Sequence, residues 1–424
     1  MVCIKICVYA ICKNEEKFVD RWYESIKDAD GIFVLDTGSS DDSAKKLKKH
    51  GISVKEMEIK PWRFDVARNE ALKMIPEDFD ICISLDLDEI MLDGWKENIL
   101  KAWKSDTDRL RYVYNWYIED GIPKVTYYAD KIHKRSGCKW VNPVHEILEF
   151  DHSEKQVFTD DVIVNHYPDR EKSRSNYLPL LELAVKEKPD NDRNMHYLGR
   201  EYMYYGKWND AIDTLIKHLK MKNATWKDER CASMRFIARC YKNMERYDES
   251  LMWLLKAINE APYLRDPYTE TAILYYILED FENVCKYGNK ALEIKYNPKT
   301  YMNEVFSYDE TLNDLLSISY FYLGDYENAI KNAKEALKIN PNNERIKKNP
   351  KNRCYLCKKS LFEKLLAYAD EAGAETILEG TNEDDLHVYR PGLAAVRELG
   401  VKSPLAEAHL TKPEVRALAR KEGI

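Results

Sequence analysis

The chain has 424 residues, more than a single ordinary domain holds, so the sequence predicts two or three domains. It carries 73 acidic and 66 basic side chains, a formal net charge of -7, with no strongly basic block. This balance argues against a nucleic-acid-binding protein, and no apolar run approaches the length that a membrane span requires.

Cysteine usage points to a reducing compartment. The ten cysteines follow no disulfide-framework spacing, and Cys3, Cys7 and Cys82 lie inside apolar, strand-like runs. The N-terminal stretch alternates apolar residues with lysine and then turns acidic, which is typical of a first strand rather than of a signal peptide. We therefore expect a cytoplasmic protein, and peripheral association with a membrane stays open.

The first 90 residues alternate between strand-like and helix-like patterns. Apolar runs end in polar turns, and helices with one apolar face follow them, the first of which carries Trp22. This order is typical of a mostly parallel α/β sheet. The predicted strands are residues 3–12, 31–36, 52–54 and 81–85.

The central stretch, residues 81–89, reads ICISLDLDE and ends in three carboxylates. On an extended backbone Asp86 and Asp88 would point to the same side and repel each other unless a cation lay between them. A hard divalent ion that also binds substrate phosphates would resolve this repulsion. The alternative, that Asp88 only caps a following helix, stays open. Asp36 ends another strand, so it should face the same crevice.

Four segments in this order, ICKNEE, LDTGSSDDS, PWRFDVARNEAL and SLDLDEI, resemble the family 2 glycosyltransferases. The resemblance spans residues 1 to about 170. It implies a GT-A fold, a Rossmann-like mostly parallel sheet, and inverting transfer of a sugar, of the hexosyltransferase type. The donor would be a nucleotide-sugar such as a UDP- or GDP-sugar.

The resemblance also implies roles for single residues. Asp36 would contact the nucleotide base or ribose. The side chains implied to line the donor pocket are Asp65, Arg68, Asn69 and Asp86. Asp86 and Asp88 would hold Mg²⁺ or Mn²⁺ at the donor diphosphate. A helical ion pair with Asp65 remains the structural alternative for Arg68.

Inverting transfer needs a carboxylate base for the acceptor hydroxyl or thiol. The segment WVNPVHEIL is similar to one in relatives of this group, and its Glu146 is the candidate base. His145 would position the acceptor or join the metal. His166 resembles a late metal or diphosphate contact of the family, although a structural histidine is the alternative. The pair Glu119-Asp120 is a weaker candidate, because a hairpin turn explains it better.

From about Arg174 the pattern changes to amphipathic helices. Glycine at a turn, an aromatic residue two positions on and small residues at helix contacts resemble tetratricopeptide repeats, most clearly around Gly324. Such a stack predicts an all-α domain with a groove for a protein or peptide acceptor, or for self-association. The tyrosines of this region could equally serve the core.

The tail differs from both parts. Its segments RCYLCK, EGTNEDD, YRPG and SPLAEAHLTKPEVRALA resemble the ATP-dependent sacrificial sulfur transferases of the PP-loop pyrophosphatase group. The S-G-G-x-D-S phosphate loop of those enzymes is absent, so we expect an incomplete, functionally silent, small α/β fragment. Cys354 and Cys357 could form half of a zinc site, but no second ligand pair lies nearby in the sequence.

The sequence therefore predicts three domains, residues 1–173, 174–345 and 346–424. The leading hypothesis is a metal-dependent inverting glycosyltransferase acting on a protein, peptide or glycan. The alternative is a repeat scaffold with a degenerate glycosyltransferase domain. ATP-dependent sulfur transfer by the tail is the least favoured hypothesis.

Overall fold

The computed structural model describes residues 4–169, 177–347, 353–388, 390 and 392–423. Contacts divide the chain into two compact units, Met1–Asn332 and Ala333–Ile424. The first unit contains the α/β part and the helical pairs that follow it, whereas the predicted tail, residues 346–424, falls within the second. The two predicted domain boundaries stay predictions, and the boundary at 173 lies outside the described residues.

The α/β part is built on one large sheet and one small one. The strands are β1 (Ile6–Cys12), β2 (Gly31–Asp36), β3 (Ser53–Glu56), β4 (Ile81–Ser84), β5 (Glu89–Met91), β6 (Arg109–Glu119), β7 (Ile122–Lys134), β8 (Cys138–Val141), β9 (Ile147–Phe150) and β10 (Gln156–His166). The large sheet has the order β3-β2-β1-β4-β7-β6-β10-β5, and β8 pairs with β9 separately. Strands β1 to β4 pair in parallel, as do β6 and β10, whereas β5 and β7 run antiparallel to their neighbours. The predicted mostly parallel α/β architecture is confirmed.

Both faces of this sheet are buried. Along β1, Ile6 and Val8 enter one apolar cluster, whereas Cys7 and Tyr9 enter the other. This period of two, with apolar residues on both faces, is what a parallel sheet covered by helices requires. The covering helices are α1 (Val19–Ile26), α2 (Ser43–Lys49), α3 (Phe64–Lys73) and α4 (Trp95–Ala102). Trp22 of α1 is fully buried, which stabilises the fold by roughly 3 kcal/mol.

The central stretch corrects one expectation. Strand β4 ends at Ser84, and the backbone N–H of Glu89 donates to the carbonyl of Asp86 at 2.9 Å, so residues 86–89 form a turn. The expected extended backbone through the two aspartates is therefore wrong. The capping alternative is also wrong, because strand β5, not a helix, follows Asp88.

Strands β6 and β7 form the predicted hairpin. Glu119 pairs with Ile122, and the two turn residues, Asp120 and Gly121, have φ angles of 50° and 76°. Two successive positive φ angles are typical of the tight turn that joins antiparallel strands. Glu119 and Asp120 thus have a structural explanation.

Helical pairs complete the first unit. The helices are α5 (Tyr177–Glu187), α6 (Asp192–Tyr204), α7 (Trp208–Lys220), α8 (Lys227–Asn243), α9 (Tyr247–Glu260), α10 (Asp266–Ile277), α11 (Phe281–Glu293), α12 (Thr311–Tyr322) and α13 (Tyr326–Ile339), with a 3₁₀ turn at Val305–Ser307. The predicted all-α repeat region is confirmed. The tyrosines of this region could serve a binding groove or the core. Tyr204 and Tyr322 are exposed, as a groove would require, whereas Tyr202 is half-buried. No helix among the described residues is both long and apolar enough to cross a bilayer.

The second unit is mainly helical. After the end of α13 its helices are α14 (Glu344–Lys347), α15 (Arg353–Glu371), α16 (Glu383–Leu386), α17 (Gly392–Glu398), α18 (Pro404–Glu407) and α19 (Lys412–Lys421). Within its described residues, the β contact found is an isolated parallel bridge between Leu378 and Lys402. The side chains of Cys354 and Cys357, on which the zinc prediction rests, lie outside the described residues, as do Tyr389 and Pro391.

Candidate active site

The candidate site lies at the carboxyl edge of the large sheet, where open α/β sheets bind ligands. Strand β2 ends in Asp36, the turn after β4 carries Asp86 and Asp88, and β10 ends in His166. Helix α3 adds Arg68 from the neighbouring layer. The topology thus brings most of the predicted residues to one edge.

Arg68 is the centre of a buried ionic cluster. Its guanidinium donates to Ser84 Oγ at 2.9 Å and to Asp86 Oδ2 at 3.1 Å, and its Nε donates to Glu146. Burial disfavours the charged guanidinium, but Asp86 and Glu146 outweigh burial and raise the pKa of Arg68. The structural alternative, a helical ion pair of Arg68 with Asp65, does not form, since Asp65 pairs with Arg63. Arg68 instead joins the turn after β4 to the segment before β9.

Lys131 is a second cation that sequence reasoning missed. From β7 its ammonium donates to Asp86 at 2.7 Å and to Glu89 at 3.1 Å. Burial acts to raise the pKa of Asp86, but Arg68 and Lys131 outweigh burial and lower it, so this carboxylate stays ionised. Glu89 also accepts from the Tyr114 hydroxyl at 2.8 Å. No sequence signal marked Lys131, because a lysine on a strand is ordinarily solvent-exposed.

Asp88 faces a different partner from Asp86. Its Oδ2 lies 3.3 Å from His166 Nε2, and the other ring nitrogen of His166 lies 3.0 Å from the carbonyl of Trp116. Burial lowers the pKa of His166, but the interaction with Asp88 outweighs burial and raises it. The carbonyl contact fixes the ring orientation, as the outer hydrogen bond of a metal-ligating histidine does.

A divalent metal, which the resemblance to family 2 glycosyltransferases implies, has few possible protein ligands at this edge of the sheet. In the described part of the chain, no group of three or more His, Cys, Asp or Glu side chains is placed to hold an ion. Asp86 is occupied by two cations, whereas Asp88 and His166 offer one oxygen and one nitrogen donor side by side. Mg²⁺ commonly binds one or two carboxylates and completes its shell with substrate phosphates and water. The Asp88–His166 pair fits that mode of binding. The described residues do not form a cage of three protein ligands.

Asp36 has an unused acceptor. Its Oδ1 accepts from the backbone N–H groups of Gly38 and Ser39 at 2.9 and 2.8 Å. Its Oδ2 is buried and has no hydrogen-bond partner in the structure. A buried carboxylate oxygen without a partner is costly, so a ligand N–H or O–H aimed at Oδ2 would gain a charge-assisted hydrogen bond.

Asp65 and Asn69, which were predicted to line the pocket of the nucleotide-sugar, make contacts within the protein. Asp65 pairs with Arg63 at 2.9 Å, and Arg63 in turn reaches Glu187 of α5. The Asn69 amide both accepts from and donates to the backbone of Trp140, at 2.9 and 2.8 Å. Both contacts attach α3 to neighbouring segments, and a direct role of Asp65 or Asn69 toward a donor stays a prediction.

The segment before β9 presents His145 and Glu146. The His145 ring stacks on Tyr197 of α6, with 4.0 Å between ring centroids and 11° between planes. Glu146 is turned toward Arg68 and is nearly buried. The structure therefore brings Glu146 into the cluster with Arg68 and Asp86, whereas His145 faces the helical repeats and Asp88 and His166 form a separate pair.

A pocket of about 630 Å³ adjoins His166. Aromatic and basic side chains line it, among them Trp116 of β6 and Arg21 of α1. Its other lining residues are Lys17, Phe18, Tyr117, Ile118, Tyr167, Pro168 and Asp169. The space is large enough for a sugar next to the Asp88–His166 pair.

Comparison with protein families agrees with this geometry. Residues 7–138 match the sequence profile of Glycosyl transferase family 2, and residues 236–263 and 312–343 match tetratricopeptide repeats. The chain therefore carries a family 2 glycosyl transferase domain and tetratricopeptide repeats. The matched part of the domain contains Asp36, Arg68, Asp86, Asp88 and Lys131.

Several curated proteins are similar over part of the chain. The SPbeta prophage-derived glycosyltransferase SunS of Bacillus subtilis is 26% identical over 289 residues, which cover 64% of this chain and 67% of that protein. An uncharacterized protein of Synechocystis sp. is 45% identical over 76 residues, 18% of this chain and 28% of that protein. Pyridinium-3,5-bisthiocarboxylic acid mononucleotide synthase of Lactiplantibacillus plantarum is 37% identical over 83 residues, 20% of this chain. The chain spans only 28% and 30% of the lengths of the last two relatives.

Two solved structures are similar over part of the chain. The crystal structure of MamA has a TM-score of 0.33 and 18% identity, and covers 40% of this chain and 91% of that chain. A structure titled for the functional characterization of Pseudomonas aeruginosa pilF has a TM-score of 0.33 and 11% identity. The similarity covers 40% of this chain and 70% of the chain in that structure.

Proposed function

We propose that the chain is an inverting glycosyltransferase that takes a sugar from a nucleotide-sugar and uses a divalent metal, Mg²⁺ or Mn²⁺. The observation that carries the proposal is the buried, unpartnered Oδ2 of Asp36 at the carboxyl edge of the sheet. A nucleotide base or ribose supplies the hydrogen-bond donor, an N–H or O–H group, that Oδ2 of Asp36 lacks. The Asp88–His166 pair, at the same edge, supports the proposal because a donor diphosphate carries the phosphate oxygens that would complete a metal site.

The residues divide the work of transfer. Asp36 orients the nucleotide, and the metal, held by Asp88 and His166, would neutralise charge on the departing nucleoside diphosphate. Arg68 and Lys131 place two further positive charges near this edge, where that charge develops. Glu146 accepts the proton of the acceptor hydroxyl or thiol while the new bond forms at the anomeric carbon. To do so, Glu146 must first release Arg68.

The acceptor is a protein, a peptide or a glycan. SunS is named a glycosyltransferase and is similar over a length that exceeds the α/β part, which supports glycosyl transfer by this chain. A cytoplasmic location is proposed on a separate ground: the cysteines whose side chains are described are free thiols. Synthase activity is not proposed for the tail, because the chain spans 30% of the synthase relative and contains no S-G-G-x-D-S loop.

Thermal shift tests the proposal on the full chain. A panel of UDP- and GDP-sugars is added with and without Mn²⁺ to the wild type, to Asp88→Asn and to the control Asp106→Asn. Asp106 is exposed and pairs with Lys155, and both residues lie just before the amino ends of β6 and β10, at the edge of the sheet opposite the site. We expect one donor to raise the melting temperature in a metal-dependent way in the wild type and the control, but not in Asp88→Asn. No shift with any donor would favour the scaffold function instead.

A further inference from the structure

The segment between α11 and α12, residues 294–310, interrupts the regular pairing of the repeats and is fixed by buried charges. Arg235 and Arg239 of α8 both bind Glu270 of α10 at 2.8 Å, and Arg239 also binds Glu304 of the segment at 2.5 Å. Arg235 donates to the carbonyl of Met302 at 2.8 Å. Removing one partner of such a buried network is strongly destabilising, so the segment has one defined position.

That position places Tyr301 against the α/β part. Its ring centroid lies 6.2 Å from Tyr127 of β7 and 6.2 Å from Tyr197 of α6, and Trp226 packs on it at 5.6 Å. The Tyr197 ring that Tyr301 contacts also lies 5.0 Å from the guanidinium of Arg193, so Tyr197 links Tyr301 to Arg193. Tyr301 thus joins three parts of the unit: the sheet, the first repeat and the interrupting segment.

Arg193 of α6 connects this contact to the candidate site. Its guanidinium donates to the backbone carbonyl of His145 at 2.8 Å and lies 5.0 Å from the centre of the Tyr197 ring. Asn142 and His145 have φ angles of 79° and 51°, a conformation that side-chain-bearing residues rarely adopt without support. Glu146, next in the chain, holds Arg68.

We propose that Arg193 and Tyr301 are positioning residues of the active site, which hold the backbone of residues 142–146 in the conformation that brings Glu146 into the candidate site beside Arg68. The repeats are then part of the catalytic machinery and not only a docking module. The catalytic consequence rests on the proposed function, whereas the effect on the segment does not. A misplacement of about 1 Å in a catalytic group can lower the rate about a hundredfold. Contacts of Arg193 and Tyr301 can therefore affect the rate although neither residue touches the reacting groups.

Hydrogen exchange followed by mass spectrometry tests the positioning directly. The full-length variants are Arg193→Met and Tyr301→Leu, which removes the ring that contacts Tyr197 and should speed exchange in the same direction, with Arg230→Met as the matched control. Arg230 also holds backbone carbonyls, those of Leu219 and Ala224, but lies elsewhere in the repeats. We expect exchange of the peptide covering 142–148 to be about tenfold faster in Arg193→Met and unchanged in Arg230→Met. Unchanged exchange in Arg193→Met would overturn the proposal.

Arg193→Lys separates positioning from general damage, because lysine can still donate to the His145 carbonyl. We expect it to restore most of the protection of 142–148. Release of nucleoside diphosphate from UDP-glucose and GDP-mannose with Mn²⁺ then measures the consequence, with a kcat about tenfold lower in Arg193→Met. An unchanged kcat alongside faster exchange would overturn the catalytic role. A wild type that turns over neither donor would count against the proposed function and leave the exchange result to decide the positioning.

Discussion

Arg68 shows at the scale of one residue why the candidate site is more than a collection of polar groups. It is almost entirely buried and has two carboxylate partners, Asp86 and Glu146, from separate segments. A buried charge is tolerated only when it is paired, and each partner depends on the others.

Replacing Arg68 by methionine should therefore destabilise the protein. Asp86 would keep Lys131, but Glu146 would lose its cation, and we expect a loss of roughly 3 kcal/mol in the free energy of unfolding. The double variant Arg68→Met/Glu146→Gln should recover part of this loss, because the uncompensated carboxylate is gone. Urea unfolding followed by tryptophan fluorescence checks both. A double variant less stable than the single one would contradict the ionic explanation.

Asp36→Asn isolates the unpartnered oxygen. The amide oxygen can still accept from Gly38 and Ser39, but the nitrogen that replaces Oδ2 cannot accept from a nucleotide. A hydrogen bond to a charged group contributes roughly 1.5–3 kcal/mol, so we expect the Kd for UDP or GDP to rise about tenfold or more. Isothermal titration calorimetry of both nucleotides measures it. Equal affinity in the wild type and the variant would show that Asp36 does not contact the nucleotide.

At this scale the sequence predicted the acidic residues better than their partners. Asp36, Asp86 and Asp88 could be found because each lies at or just after the carboxyl end of a strand, and these strand ends meet at one edge. Lys131 and Arg193 could not be found, because their partners lie far along the chain and only the tertiary fold brings them together. The short-range alternative for Arg68 failed for the same reason.

At the scale of elements, β7 contains a histidine that links stability to pH. His133 is fully buried, and its Nε2 lies 2.9 Å from the Tyr9 hydroxyl and its Nδ1 2.7 Å from the carbonyl of Lys134. The Tyr9 hydroxyl in turn accepts from the Trp140 indole at 2.8 Å. Burial lowers the pKa of His133 to about 4, so the folded state keeps the imidazole neutral.

Stability should therefore fall as the pH falls from about 6.5 to about 4. In this window the unfolded chain takes up a proton at His133 and the folded chain does not, which costs roughly 3 kcal/mol over the whole range. His133→Gln keeps an acceptor for Tyr9 and does not titrate, so its stability should vary less with pH. Urea midpoints between pH 4 and pH 7.5 measure the difference. The same slope in both proteins would rule out His133 as the group responsible.

Two of the contacts between repeat helices are made at a glycine. A Cβ on Gly199 of α6 would lie 2.5 Å from Leu215 Cγ and 3.3 Å from its backbone nitrogen, whereas a Cβ on Gly288 of α11 would lie 3.0 Å from Leu316 Cδ2. Alanine gains up to about 1 kcal/mol of helix propensity, but overpacking at Gly199 should cost about 1–3 kcal/mol. We expect Gly199→Ala to lower the melting temperature more than Gly288→Ala. The reverse order in a thermal melt would contradict this packing.

Element types were easier to predict than their ends. Strand β2 has the predicted bounds, because a continuous apolar run ends there in a polar turn. The turn at residues 86–89 was not predicted, because the apolar Leu85 and Leu87 continue the pattern of the strand. The backbone nevertheless turns there, and Asp86 and Glu89 are hydrogen-bonded to each other. Periodicity records which residues are buried and not where the backbone bends.

At the scale of the molecule, the first unit combines a sheet edge rich in charged residues with repeat helices that contact the α/β part. Glycine and aromatic spacing was enough to predict the repeats, since each helical pair must bury its face on the next. Their contact with the candidate site was not predictable, because Tyr301 belongs to a segment that departs from the repeat pattern. The second unit adds helices of its own, and the function proposed here assigns it no role.

Turnover of a nucleotide-sugar tests the central claim most directly. The full chain is incubated with UDP- and GDP-sugars and Mn²⁺, with water as the acceptor, and the released nucleoside diphosphate is measured for the wild type, Asp88→Asn and Asp106→Asn. We predict slow release from one donor that requires the metal, persists in Asp106→Asn and falls about a hundredfold or more in Asp88→Asn. Absence of release from every donor, together with an absence of nucleotide binding, would contradict the claim that this chain is a glycosyltransferase.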